Sequence, residues 1–426
     1  MNGAVAGGPG WGASRWQPRF YGWWLVGLCA VAQALSAPGQ TAGISVFIDP
    51  MIATLDLTRS GVATAYLFAT LASAMILPRV GRLVDQWGSK RALLIVAVAF
   101  GIALVATAGV RGFVSIAIAF FFLRLLGQGS LPLVASTAVA PWFRRRRGFA
   151  IGVTAAVGAS LMSLVPIGSA ALIRGIGWRM SWLVLAAAVV TILVPIALRG
   201  IVNRPADIGQ EPDGDRPTVD QGAARPDPHG DSFTRSEALR TPAFWVLAGA
   251  VASTGAIGTA LKFHQIALLG EQGLSSIEAA ANFLPQTVGV LLTTLIVGAL
   301  IDRIGLRWIL VVAMAVQAAA MVAVPFITPG LSALIYGLLL GSAGSVTRAS
   351  EAAATPNLYG LRELGAIRGV LRLISTGSSG LGPVVLAVGR DLTGSYTATL
   401  VVLLAAPAAV IVAALVTSSQ PPRRPC

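Results

Sequence analysis

The sequence predicts an all-α membrane protein with twelve transmembrane helices arranged as two six-helix bundles. Three observations predict it: an apolar composition, a basic charge confined to alternate loops, and one loop motif that occurs twice. The 426 residues are 55% hydrophobic and 11% charged, with a mean hydropathy of +0.77. An ordinary soluble domain carries about 25% charged residues. Runs of about 20 apolar residues cross a bilayer as helices. Twelve follow one another, at 20–47, 61–79, 90–110, 113–140, 148–173, 180–199, 242–269, 279–300, 307–327, 331–354, 366–388 and 396–417. Several exceed the minimum length, which predicts tilt or extension beyond the hydrocarbon core. The expected organisation is an N-terminal segment 1–19, a first bundle 20–199, a linker 200–241, a second bundle 242–417 and a tail 418–426. The linker is rich in Pro, Asp and Gly and reads as flexible.

The net charge of +14 raises the question of nucleic acid, and its distribution excludes it. Of 31 basic residues, 22 fall in alternate loops and the termini, among them Arg79, Arg82, Lys90, Arg91, the run Arg144 to Arg147 and Arg303. Five fall in the opposite loops: Arg59, Arg111, Arg174, Arg179 and Arg390. This positive-inside asymmetry places both termini in the cytoplasm and the chain in the plasma (cytoplasmic) membrane. The four-arginine run then faces anionic headgroups. Tyr21, Trp23, Trp24, Trp142, Trp178, Trp245 and Trp308 lie near span ends, as an aromatic belt requires. Cys29 and Cys426 are too far apart in the topology for a disulfide, and no cysteine-based metal cluster can form. No cofactor is expected. The first apolar run is too long for a signal-peptide core and is read as a retained span.

Between spans two and three the chain reads Gly81-Arg-Leu-Val-Asp85-Gln-Trp-Gly88-Ser-Lys90-Arg91-Ala-Leu93. Between spans eight and nine it reads Gly298-Ala-Leu-Ile-Asp302-Arg303-Ile-Gly305-Leu-Arg307-Trp-Ile-Leu310. Internal duplication marks secondary transporters. This duplicated loop resembles the signature of the major facilitator superfamily. The resemblance implies that Asp85 and Asp302 latch the outward-open state by pairing with a basic residue and a helix terminus of the opposing helices. It also places the loop's basic residues, Lys90, Arg91, Arg303 and Arg307, in the gating element. Gly81, Gly88, Gly298 and Gly305 allow tight turns and close helix approach, since they lack a Cβ. The first copy departs from the family at Gln86 and Ser89, and the second at Leu306.

An ionisable side chain at bilayer depth is costly and therefore a functional candidate. Four cations fall inside spans, Arg124, Lys262, Arg348 and Arg372, against one acid, Glu351. That imbalance fits an anionic substrate. At about 1.5 Å per residue, Arg124 lies about 16 Å along span four, near the midplane. It begins the string Arg124-Leu-Leu-Gly127-Gln128-Gly129, which resembles the family's Arg-x-x-x-Gln-Gly element in helix four, and the resemblance implies substrate anchoring or proton transfer. Lys262 and His264 lie about 30 Å along span seven, and an imidazole there is a candidate proton carrier. Arg348 and Glu351, three residues apart, share a helix face and can pair. With Arg372 they read mainly as an inner gate, Arg348 also as a substrate contact and Glu351 also as a proton-coupling group. Gln33 and Gln286 join the candidate substrate contacts as uncharged hydrogen-bonding groups.

Within the superfamily the chain resembles the monocarboxylate-porter and oxalate/formate-exchanger branch. The resemblance rests on Tyr21-Gly22-Trp23-Trp24, on Val46-Phe47 with Pro50, and on Gly389-Arg-Asp391-Leu-Thr-Gly394-Ser-Tyr396. It implies transport of a small mono- or dicarboxylate by alternating access, coupled to a proton or a counter-substrate, by a monomer. That branch carries a carboxylate-binding arginine in helix eight, where this chain has no basic residue, so Lys262, Arg124 or Arg348 must substitute. The alternative is proton-driven efflux of a drug-like or natural-product compound, for which Leu164-Val165-Pro166-Ile167-Gly168-Ser169 is a degenerate match to the antiporter motif. A transporter-like sensor lacks its usual long extensions here. An enzyme is excluded because no nucleophile–base pair or metal-ligand set appears.

Overall fold

The structure, a computed structural model, describes residues 20–214, 233–300, 304–360 and 363–417. Every regular element among them is helical. The first half comprises α1 (Tyr21–Ala34), α2 (Thr41–Leu55), α3 (Arg59–Ala108), α4 (Phe113–Phe122), a π-helical stretch Leu123–Ser130, α5 (Leu131–Val139), α6 (Arg147–Met162) and α7 (Val165–Pro195). The short α8 (Arg235–Leu239) leads into the second half. That half comprises α9 (Pro242–Phe263), α10 (Gln265–Gly270), α11 (Ser276–Ala281), α12 (Phe283–Leu300), α13 (Leu306–Ala323), α14 (Leu331–Tyr359), α15 (Leu364–Thr393), α16 (Tyr396–Leu403) and α17 (Ala405–Val416).

Eight helical segments among the described residues are long and apolar enough to cross a membrane. Two of these hold two spans each, because the chain turns within them at a glycine. Gly88 (φ 76°) breaks α3 and Gly177 (φ 77°) breaks α7, left-handed conformations that cost a residue with a Cβ about 1–2 kcal/mol. Span one, which is broken, and span ten complete the twelve. Large apolar side chains such as Trp24, Phe68, Met75, Leu295 and Val402 are exposed on the outside of the bundle, where the bilayer is their solvent.

Span one departs from the sequence reading. It runs on to Leu55 and is interrupted by a 3-10 turn, Ala37–Gly39. Pro38 removes a backbone donor there. A Cβ on Gly39 would lie 2.3 Å from the Leu123 carbonyl oxygen, so only glycine lets this turn seat against span four. Gly127 returns the favour from the other side, its own missing Cβ facing the Gly39 Cα.

The Arg144 to Arg147 run, the Gly88 turn and both described chain ends share one end of the bundle, called here the basic end. The segment read as a flexible linker is ordered there over 200–214. The Tyr21 amide donates to Gln210 Oε1 (3.0 Å), Trp142 Nε1 donates to the Val202 carbonyl (3.2 Å), and the Lys90 amide donates to Asn203 Oδ1 (3.0 Å). Asp213 accepts from the Arg144 and Arg145 amides at 2.9 Å each. Partial burial works against its charge, but these backbone bonds prevail and hold the carboxyl below the usual carboxylate range. The remainder of that segment, 215–232, lies outside the described residues.

At the opposite, far end the two halves meet. The Tyr66 ring of α3 packs on Phe263 of α9, centroids 4.6 Å apart, and Leu67 fills the space a Cβ on Gly380 would need. One buried apolar cluster runs from the first half across this seam to Leu261, Phe263 and Leu386. The basic end of the second half has a separate cluster around Phe244, Tyr359 and Ile367. The buried apolar contact between the halves thus lies at the far end, and the second half keeps its own cluster at the basic end.

Candidate functional site

Between the halves lies a cavity of about 270 Å³, lined by Arg124, Lys262, Arg348, Arg372 and Glu351 together with Thr41, Gln128, Thr254, Gln317 and Thr347. A second cavity of about 380 Å³ shares Arg124, Gln128, Arg372 and Thr376 with it and continues past Leu77 and Gly81 toward the basic end. The four cations named from the sequence are brought to one space, with one carboxylate. Among the described residues, no aromatic side chain lines the central cavity.

Arg124 projects from the π-helical stretch, where an extra residue per turn shifts the helix face. It is 5% exposed. Its Nη1 donates to Thr41 Oγ1 at 3.3 Å and its guanidinium lies 4.7 Å from the Tyr66 ring centroid. Thr41 Oγ1 and Tyr66 Oη are 2.7 Å apart. The Arg124 Nε has no hydrogen-bond partner, and no carboxylate pairs with the group among the described residues. A buried cation held only by a hydroxyl and a ring face retains strong capacity for an anion.

The polar wall opposite is fixed by Gln317, a buried side chain the sequence reading did not single out. Its Nε2 donates to the Ser253 carbonyl and hydroxyl (3.1 Å each), and its Oε1 accepts from Thr254 (3.0 Å), which also bonds Thr347 (2.9 Å). Tyr66 was missed as well. The signal available was a tyrosine within an apolar span, but its meeting with Phe263 and Arg124 depends on three separate helical segments.

Other expected contacts lie elsewhere. His264 does not line the cavity: it is buried, its Nε2 is 2.9 Å from the Pro383 carbonyl, and its Nδ1 is 3.5 Å from Tyr396 Oη. Two residues along a helix is about 200°, so Lys262 and His264 face opposite ways. Gln286 is also outside, donating to Gln265 (2.6 Å) within a buried amide network that includes Asn282. Gln33 packs against Gly158 of α6. Arg348 and Glu351 both face the cavity, but no ion pair joins them or Arg372 to Glu351 among the described residues.

In the first loop motif, Gly81 lies inside α3 and Asp85 is exposed without a partner among the described residues. Arg91 lies over the Trp87 ring (5.5 Å). Gly88 carries the turn, and a Cβ there would meet the Asn203 amide at 2.8 Å. In the second copy Gly298 lies within α12, while Asp302 and Arg303 lie outside the described residues. Gly305 opens α13 with an ordinary φ of −54°, so no left-handed turn requires it. Arg307 donates to the Leu415 carbonyl, tying that helix to the end of α17.

Among solved structures, a bacterial homologue of the human lysosomal transporter Spinster, in an inward-facing and unoccupied conformation, superposes with a TM-score of 0.68. Identity is 18%, over 94% of this chain and 98% of that one. A point mutant of the nucleoside transporter NupG also gives 0.68, with 13% identity over 92% and 99%. The oxalate:formate antiporter of Oxalobacter formigenes is 27% identical over 231 residues, 53% of this chain and 50% of the antiporter. The alignment thus spans about half the length of that relative. The Major Facilitator Superfamily model matches residues 29–383. This chain therefore belongs to the major facilitator superfamily and is a multi-pass membrane transporter.

Proposed function

We propose that the protein moves a small organic anion, a mono- or dicarboxylate, by alternating access. The observation that carries this reading is Arg124: a buried guanidinium facing the cavity with no carboxylate partner among the described residues. Lys262, Arg348 and Arg372 add positive charge and Glu351 alone opposes it. Keeping such cations away from bulk water is costly, and an entering carboxylate offsets that cost through charge-assisted hydrogen bonds. The antiporter relative, whose name gives oxalate and formate as its substrates, supports the same class. Coupling runs by exchange, as that name favours, or through a proton on Glu351. A drug-like substrate is disfavoured by a cavity that no aromatic side chain lines among the described residues.

Gating in this reading divides between the two ends. The far-end seam at Tyr66 and Phe263 opens when the basic end closes, and Asp85 then finds its partner. Asp302, Arg303, Lys90, Arg91 and Arg307 belong to the same basic-end machinery, with Arg372 and Glu351 at the cavity mouth. The positive-inside pattern assigns the basic end to the cytoplasm. The test is ligand-induced thermal stabilisation of the purified protein. Oxalate, formate, acetate and succinate are compared with nucleosides and cationic drugs at equal ionic strength. Stabilisation by one or more carboxylates alone is expected. Stabilisation by neutral or cationic compounds alone overturns the anion assignment.

A further inference from the structure

A separate cavity of about 490 Å³ lies on the outside of the first half, between the third and fourth spans. It shares no lining residue with the central cavity, and only Leu125 with the cavity that continues toward the basic end. Its walls are apolar: Ile102, Ala106, Ile118 and Phe122 are typical. The single hydroxyl on its lining, Ser115, is already engaged, accepting from the Arg111 and Gly112 amides and donating to the Gly112 carbonyl. Nothing polar in the groove asks for a polar occupant. The volume falls within the range of about 300–1,000 Å³ typical of small-molecule sites.

Its dimensions and its charge identify an occupant. Along the fourth span the lining runs from Ser115 to Leu126. At 1.5 Å per residue that is about 16 Å, close to half of a hydrocarbon core about 30 Å thick, hence the depth of one leaflet. The mouth, at the far end, is cationic. Arg111 is exposed and its side chain has no partner among the described residues. Arg179, also exposed, stacks over Trp178 (4.2 Å) and donates from Nη1 to the Ala108 (2.6 Å) and Val110 (3.0 Å) carbonyls, which fixes it beside the groove. The two loops that form this rim, 109–112 and 174–179, contain no Asp or Glu. An apolar slot one leaflet deep beneath two cations matches a lipid with an anionic headgroup.

We infer that this groove binds one acyl chain of an anionic phospholipid, with the lipid phosphate held by Arg111 and Arg179. The inner end of the slot touches Leu125 and Leu126, members of the π-helical stretch that presents Arg124. The bound chain therefore packs on the back of the element that carries the cavity's buried cation.

Native mass spectrometry of the delipidated full chain, titrated with defined lipids, tests this directly. Phosphatidylglycerol is expected to give a single saturable adduct at least tenfold more readily than phosphatidylcholine of the same chains. Ala106→Phe, which fills the slot from an exposed position, should lower that adduct about tenfold. So should the Arg111→Gln/Arg179→Gln double variant. The comparison of the two lipids on the unaltered protein stands even if a variant fails to fold. Equal binding of the two lipids overturns the proposal, as does an adduct that Ala106→Phe leaves unchanged in a folded protein. If inorganic phosphate competes for the adduct as well as phosphatidylglycerol does, the rim is an anion site without an acyl slot, and the proposal also fails.

Discussion

Arg124→Gln is the sharpest perturbation of the proposed anion site. A carboxylate accepting two guanidinium hydrogen bonds gains about 1.5–3 kcal/mol from each. To make them, Arg124 surrenders its 3.3 Å bond to Thr41 and part of its contact with the Tyr66 ring, together worth about 1–2 kcal/mol. About 3 kcal/mol remains, which corresponds to binding weakened about 150-fold. Arg124→Lys keeps the charge but presents a point donor instead of a planar fork, so a loss of about tenfold is expected. Isothermal titration of the purified variants with the carboxylate that most stabilises the parent measures both, and thermal unfolding checks that each remains folded. Glutamine binding as tightly as arginine would refute the reasoning, since the charge would then contribute nothing.

Gly88→Ala places a Cβ on a backbone at φ 76° and against the Asn203 amide. A loss of about 1–2 kcal/mol is expected, read as a lowered midpoint in thermal unfolding; an unchanged midpoint contradicts the turn's assignment. Asp213 has a lowered pKa, so its contribution to holding 205–214 in place is present above the usual carboxylate value of about 3.9 and is lost as pH falls through the lowered value. Hydrogen exchange of the Arg144 and Arg145 amides should therefore accelerate only in strong acid. Asp213→Asn should accelerate it at neutral pH and remove the acid dependence. Asp85→Asn should favour the basic-end-open state by about tenfold, the equivalent of one charge-assisted contact made in the other state only. Spin-label distances across the basic end check this, and an unaltered distribution removes the latch role.

Much of the architecture was legible because the bilayer imposes it. A helix of about 20 apolar residues has no alternative in hydrocarbon, and the repeated Gly-x-Leu-x-Asp string marks the halves. Arg124, Lys262 and Arg348, which depth along a span singles out, line one cavity. What was not legible depends on rotation and on contacts between distant segments. The interruption at Ala37–Gly39 and the π-helical stretch at Leu123–Ser130 form together, through the mutual approach of Gly39 and Gly127, and neither is visible in local periodicity. His264 sits in the same polar cluster as Lys262 in sequence and on the opposite side of the helix in space, bonded to Pro383. Arg348 and Glu351 have the right spacing to pair, yet both line the cavity without an ion pair between them among the described residues.

The central claim, transport of a small organic anion through this cavity, is tested most directly by counterflow. Proteoliposomes loaded with an unlabelled carboxylate are diluted into its labelled form, with the parent protein and Arg124→Gln in parallel. The account predicts transient accumulation of label by the parent, competed by other carboxylates and absent in Arg124→Gln. Accumulation competed only by neutral or cationic compounds, or undiminished in the variant, would contradict it.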